Sequence, residues 1–212
     1  MIKAILFIAP GCPHCPAVLQ ALSELLKDGE IAEMEISNMA LMPEKAQKLG
    51  IRSVPWIKIG AFELTGSQTK GELLNWIKRS QSASGMQDYF QELLTTGKLN
   101  TVISLLKKGP ELLSHLAPMI ENKDVPLGAK IGIGAVFEEF QGSTAMHSLL
   151  PLLIKLLDSE QSSVRHDACH YLGLTKSPDA IAAIKPLLND SDEEIRETAH
   201  EALQMISETN KI

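Results

Sequence analysis

Cys12-Pro13-His14-Cys15-Pro16 follows the apolar run at residues 2–8 and opens a helical pattern. Two thiols separated by two residues at the start of a helix can form and break a disulfide reversibly. The free amides and the dipole of the helix N-terminus favour the thiolate, so they lower the pKa of the first thiol. This is disulfide-exchange chemistry, and strand–Cys-x-x-Cys–helix is its setting.

Residues 1–80 alternate strand and helix signals. The continuous apolar run 2–8 suits a strand buried on both faces. From Cys12 to about Lys27, Val18, Leu19, Leu22, Leu25 and Leu26 form the apolar stripe of a helix. Ile31, Ala32, Met34 and Ile36 suit a second strand over 31–36. Pro43 begins a short helix to Leu49, as proline is tolerated at the first helical position. Residues 55–59 and 61–64 make a hairpin turning near Gly60, and Thr69-Lys70-Gly71-Glu72 has capping-box spacing for a last helix through Lys78. The expected order is βαβαββα.

Residues 81–85, Gln-Ser-Ala-Ser-Gly, are small and polar, as in a linker. Beyond them no strand pattern survives. Leu156, Leu157, Val164, Arg165, Ala168 and Leu172 recur as Leu187, Leu188, Ile195, Arg196, Ala199 and Leu203, offset by 31 residues. A fainter copy without the arginine precedes them at Ile120, Val125, Ala129 and Ile133. Such a period marks an α-solenoid, whose helix pairs bury their apolar faces by stacking. The expected organisation is a domain at 1–80, the linker 81–85 and a helical repeat domain at 86–212.

The chain has 212 residues, 44% hydrophobic and 22% charged, which suits one large or two small globular domains. Three cysteines are too few for a secreted disulfide scaffold, which makes Cys12 and Cys15 functional and leaves Cys169 over. The run 2–8 is too short to span a bilayer and no cleavage region follows it, so a mature, cytoplasmic chain without membrane association is expected. Residues 1–80 carry a net charge of +1 and residues 81–212 carry −7. That acidic second half disfavours nucleic acid as a partner.

Residues 1–80 resemble the thioredoxin superfamily, on strand–Cys12-x-x-Cys15–helix and on Ser53-Val54-Pro55 before the hairpin. The short form is similar to its glutaredoxin-like branch, including the N-terminal domain of alkyl hydroperoxide reductase flavoproteins, which shares Cys-x-x-Cys-Pro. The Pro13-His14 dipeptide is that of periplasmic disulfide oxidases. Residues 111–207 resemble HEAT-like repeats of the Val-Arg-x-x-Ala type. Together these imply an α/β thioredoxin fold followed by an all-α HEAT-like solenoid. They also imply a thiol–disulfide oxidoreductase without cofactor, acting on disulfide-bearing or thiol proteins. The repeats are then an adaptor for a protein partner.

In that setting Cys12 is the expected nucleophile and Cys15 the resolving thiol. Pro13 and Pro16 have no N–H, which leaves the His14 and Cys15 amides as donors to the Cys12 sulfur. Protonated His14 adds positive charge, and both effects make the disulfide more oxidising. The resemblance implies a cis Pro55 that sets the Val54 backbone beside the sulfurs for an extended substrate. Pro13 is a further candidate there; Trp56 and Trp76 read as packing residues, with a place in the substrate groove as the alternative for Trp56. A reducing cytosol favours reduction of substrates, whereas the dipeptide favours their oxidation. Thioredoxins carry a buried Asp and a Trp where this chain has Leu6 and Gly11. The proton acceptor for Cys15 must then be water, substrate or another residue such as Glu63.

A zinc site at Cys12 and Cys15 would need four ligands, and no second pair follows at loop spacing, so no metal is expected. His166-Asp167-Ala168-Cys169-His170 mimics a zinc helix, but the repeat explains it: His166 and His170 align with Glu197 and Glu201, and Cys169 is a structural thiol. Arg165 and Arg196 are expected to pair with nearby carboxylates such as Asp158 or Asp190, and Gly128, Gly132 and Gly134 to serve close helix packing. The expected partners have basic or neutral contact patches. The competing reading is a protein-binding HEAT scaffold whose thioredoxin-like module is a docking or redox-sensing unit.

Overall fold

The computed structural model describes residues 2–82 and 84–209; Ala83 of the expected linker lies outside them. The chain divides into two compact units, Met1–Met86 and Gln87–Ile212.

In the first unit β1 (Lys3–Ile8), α1 (Cys15–Lys27), β2 (Glu33–Asn38), α2 (Pro43–Leu49), β3 (Trp56–Ile59), β4 (Phe62–Thr65) and α3 (Lys70–Ser80) follow in the expected order. The sheet runs β2-β1-β3-β4. β1 is parallel to β2 and antiparallel to β3, and β3 and β4 form the hairpin. Strand alternation gives each face its own partners. Ala4, Leu6, Ile57, Ile59, Phe62 and Leu64 are buried on one face with α1 and α3, where Phe62 meets Trp76 edge-on at 5.3 Å. On the other face Phe7 and Trp56 pack with Ala46 of α2 and with Ile51.

Local chemistry sets the element ends. Thr69 caps α3 with both bonds of the box: the Thr69 N–H donates to Glu72 Oε2 (2.7 Å) and the Glu72 N–H to Thr69 Oγ1 (3.3 Å). Two expectations shift. β2 begins at Glu33 rather than residue 31 and ends at Asn38, and Ile36 is exposed because this strand is an edge. α1 begins at Cys15, with His14 as its N-cap, because Pro16 suits the first turn and Cys12 belongs to the preceding turn. Residues 81, 82 and 85 of the expected linker are hydrogen-bonded or helical. Gln81 closes α3, the Ser82 N–H bonds Arg79 O at 3.1 Å, and Gly85 already opens the next helix.

After α3 the chain is helical: α4 (Gly85–Thr95), which crosses the boundary between the units, α5 (Leu99–Lys108), α6 (Ala117–Glu121), α7 (Leu127–Glu139), α8 (Thr144–His147), α9 (Leu150–Leu156), α10 (Ser162–Leu174), α11 (Ile181–Ile184) and α12 (Glu193–Thr209). Short 3-10 turns occupy Pro110–His115, Pro178–Ala180 and Lys185–Asn189. The repeat positions Val164, Ala168 and Leu172, with Ile195 and Ala199, are buried, as are Ile120, Val125, Ala129 and Ile133 of the fainter copy. Small residues bring the helices together. A Cβ on Gly132 would sit 2.8 Å from Leu94 Cδ2, and one on Gly173 would sit 2.8 Å from Ala202 Cα. Among the described residues no helix is long and apolar enough to cross a membrane.

Candidate active site

Between β1 and α1 the chain must turn sharply. The Cys12 N–H donates to Ala9 O at 3.3 Å, with Pro10 second and Gly11 third in the turn, and Gly11 has φ 77°. Proline followed by a positive-φ glycine is the chemistry of a type II turn. The turn delivers Cys12, half-buried, three residues ahead of buried Cys15 in the first turn of α1. The two are joined as a disulfide with Cα atoms 5.5 Å apart. The Cys15 backbone N–H donates to Cys12 Sγ at 3.2 Å. One of the two amides expected to face that sulfur does so. Pro13 and His14 are exposed between the cysteines.

The Val54–Pro55 peptide is cis. Val54 is half-buried and lies just outside β3, while Pro55 is buried and its carbonyl accepts from the Gly66 N–H at 3.0 Å. Trp56 packs rather than lining a groove: at 3% exposure, with its ring edge-on to Phe7 (5.8 Å), it contributes no surface. Its place in β3 opposite Phe7 turns it into the core. Glu63 cannot serve Cys15. It alternates with Phe62 and Leu64, which face α1 and α3, so it projects from the opposite face. Leu6 fills the corresponding interior position with a fully buried aliphatic side chain.

Leu41 and Met42 were not anticipated. The Met39 N–H bonds Ile8 O at 2.8 Å, so the loop after β2 stands at the same end of the sheet as the cysteine turn. There Leu41 is 80% exposed and Met42 is exposed beside it. An aliphatic pair in a short loop before a proline was the available signal.

The other candidates resolve into structure. Cys169 is buried and its thiol is pushed up to about 12 by desolvation, so it is chemically quiet. Arg165 pairs with Asp190 through Nε–Oδ2 and Nη2–Oδ1, both 3.1 Å, and donates from Nη1 to Ser159 O. Arg196 repeats the carbonyl contact on Asp190 O at 2.8 Å. Among the described residues no group of three or more His, Cys, Asp and Glu could hold a metal ion.

Residues 2–78 match the family model for the thioredoxin domain, and residues 113–204 match that for HEAT repeats. Among curated relatives, a thioredoxin of Methanocaldococcus jannaschii is 39% identical over 80 residues, 37% of this chain and 94% of that protein. The chain belongs to the thioredoxin family. A probable thioredoxin of Methanothermobacter marburgensis is 30% identical over 79 residues, 36% of this chain and 93% of its own length. Glutaredoxin-1 of Oryctolagus cuniculus is 34% identical over 87 residues, 36% of this chain and 82% of its own length. The thioredoxin unit is thus a thiol–disulfide oxidoreductase module, and the HEAT repeats joined to it are of a kind suited to protein interaction.

Proposed function

We propose that this protein exchanges disulfides with protein substrates in the cytoplasm, residues 1–80 supplying the chemistry and residues 86–212 holding the substrate or partner. The observation that carries the reading is the bonded Cys12–Cys15 pair with the Cys15 amide on Cys12 Sγ. In the reduced form that amide stabilises a Cys12 thiolate, and exposed His14 adds positive charge when protonated.

The Cys12 thiolate attacks one sulfur of a substrate disulfide. The substrate S–S bond breaks, the other sulfur leaves as a thiolate and takes a proton, and a mixed disulfide forms. Cys15 then gives up its proton to water or to the departing thiolate and attacks Cys12 Sγ. The Cys12–Cys15 bond closes and the substrate leaves, reduced by two electrons, with an external thiol reductant restoring the dithiol. The reverse sequence oxidises a substrate dithiol, and the poise of the pair against glutathione fixes the net direction. Val54 and Pro55, which precede β3 at the end where β1 leads into the cysteine turn, border the substrate in this reading together with Pro13, and Leu41 and Met42 at that end of the sheet supply an apolar lip.

Cys15→Ser removes the resolving thiol but leaves the nucleophile, so it should accumulate mixed disulfides through Cys12 on non-reducing gels. Absence of any such adduct, together with no reduction of insulin disulfides by the native protein, would defeat the reading. The scaffold alternative draws on the extent of the HEAT match; it predicts a partner bound with equal affinity by the native protein and by Cys12→Ala.

A further inference from the structure

The repeat places three pairs of side chains at equivalent points. Val125, Val164 and Ile195 are matching buried positions. Two and six residues beyond them stand Leu127 and Ile131 on α7, His166 and His170 on α10, and Glu197 and Glu201 on α12. Residues four apart share a side of a helix, so each pair forms a short stripe.

The helices that carry these stripes adjoin. α10 packs against both α7 and α12. Phe137 of α7 meets Tyr171 of α10 edge-on at 4.8 Å. Burial lowers the His170 pKa below the usual imidazole value, and His170 senses the charges of Glu138 on α7 and Glu201 on α12. The surface is chemically graded. Leu127 is 73% and Ile131 66% exposed, the histidines are half-buried, and Glu197 and Glu201 are exposed. An equivalent position thus passes from aliphatic through imidazole to carboxylate across three helices.

We propose that this face docks an extended segment of a partner protein bearing aliphatic side chains at one end and lysine or arginine at the other. The aliphatic end covers Leu127 and Ile131, and the cationic end meets Glu197 and Glu201. The excess of acid in residues 81–212, a net −7, favours a basic partner over an acidic one. Packed helices lie roughly 8–10 Å apart, so the face spans about 20 Å, or about six residues of extended chain. The assignment deepens the adaptor reading and rests on it.

The test uses fluorescein-labelled peptides of about eight residues, with paired leucines at one end and paired arginines at the other, made in both chain directions. They are titrated against the full chain by fluorescence anisotropy. One direction should bind saturably. Leu127→Asp with Ile131→Asp, and separately Glu197→Lys with Glu201→Lys, should each weaken it by about tenfold or more. The lysine variant should in turn prefer a peptide carrying glutamates in place of arginines. All four positions are exposed, and circular dichroism checks that the variants fold. No binding up to millimolar peptide, or equal binding to both variants, would overturn the assignment. So would self-association of the native protein that the aspartate variant abolishes, since the face would then belong to a second copy. Reduction of 2-hydroxyethyl disulfide by the same variants should be unchanged, which separates failure of this face from failure of the dithiol chemistry.

Discussion

Gly11 stands where thioredoxins carry tryptophan, and its φ of 77° shows what the exchange accommodates: a tight turn that hands Cys12 to the helix. A Cβ there would meet nothing within 4 Å, so only backbone strain opposes substitution. Gly11→Ala should therefore destabilise the first unit by about 1–2 kcal/mol, the cost of the left-handed conformation for a residue with a Cβ. Both tryptophans, Trp56 and Trp76, lie in that unit, so denaturant unfolding followed by tryptophan fluorescence reports it selectively. An unchanged midpoint would mean that the turn relaxes at no cost. At this scale the motif was legible because its chemistry is local: Cys12, Cys15 and the Val54–Pro55 bond are set by neighbours in sequence. The parts that depend on which face of a strand a residue occupies were not. Glu63 falls on the side away from α1, and Trp56 turns inward, because register across β1, β3 and β4 decides them.

Among the elements, the two repeat arginines show how a sequence period becomes a packing device. Arg165 and Arg196 each tie down the loop before their own helix through carbonyls, and Arg165 also reaches forward to the carboxylate of Asp190 in the next repeat. The hydrogen bonds from Arg165, and then the Asp192 amide, hold the Asp190 carboxyl below the usual carboxylate pKa. A depressed folded value gives stability that is complete above the unfolded pKa of about 3.9 and is lost as pH falls through the folded value. The helical unit should thus weaken below about pH 4, and Asp190→Asn should flatten that acid limb. At neutral pH the same substitution should cost about 2 kcal/mol, because a largely buried guanidinium loses its anionic partner. Urea melts followed by far-UV circular dichroism across pH would measure both; parallel acid limbs in the two proteins would remove the pair from the account. The repeat was legible from Val164, Ala168 and Leu172 because buried small and branched residues must recur wherever helices stack. The short 3-10 turns at Pro110–His115 and Lys185–Asn189 were not, since proline there permits several helix-like starts.

For the whole molecule, the proposed division of labour draws on charge as much as on fold. The thioredoxin unit holds a nearly neutral sequence around an exposed Pro13-His14 tip, whereas the acidic residues gather in the HEAT-bearing half. Chemistry at the dithiol depends on short-range contacts such as the Cys15 amide on Cys12 Sγ, which salt screens little. Capture of a basic protein by exposed carboxylates acts over longer distances and is screened within about 8 Å at physiological ionic strength and about 3 Å at molar salt. The two functions should therefore separate in one titration. With a basic, disulfide-bonded peptide as substrate, KM should rise several-fold, roughly as expected for one or two lost charge contacts, between low and high salt, while kcat holds. Turnover of 2-hydroxyethyl disulfide should stay flat over the same range. A parallel decline for both substrates would locate the salt effect at the dithiol itself, and two flat profiles would leave the acidic half without a part in substrate capture.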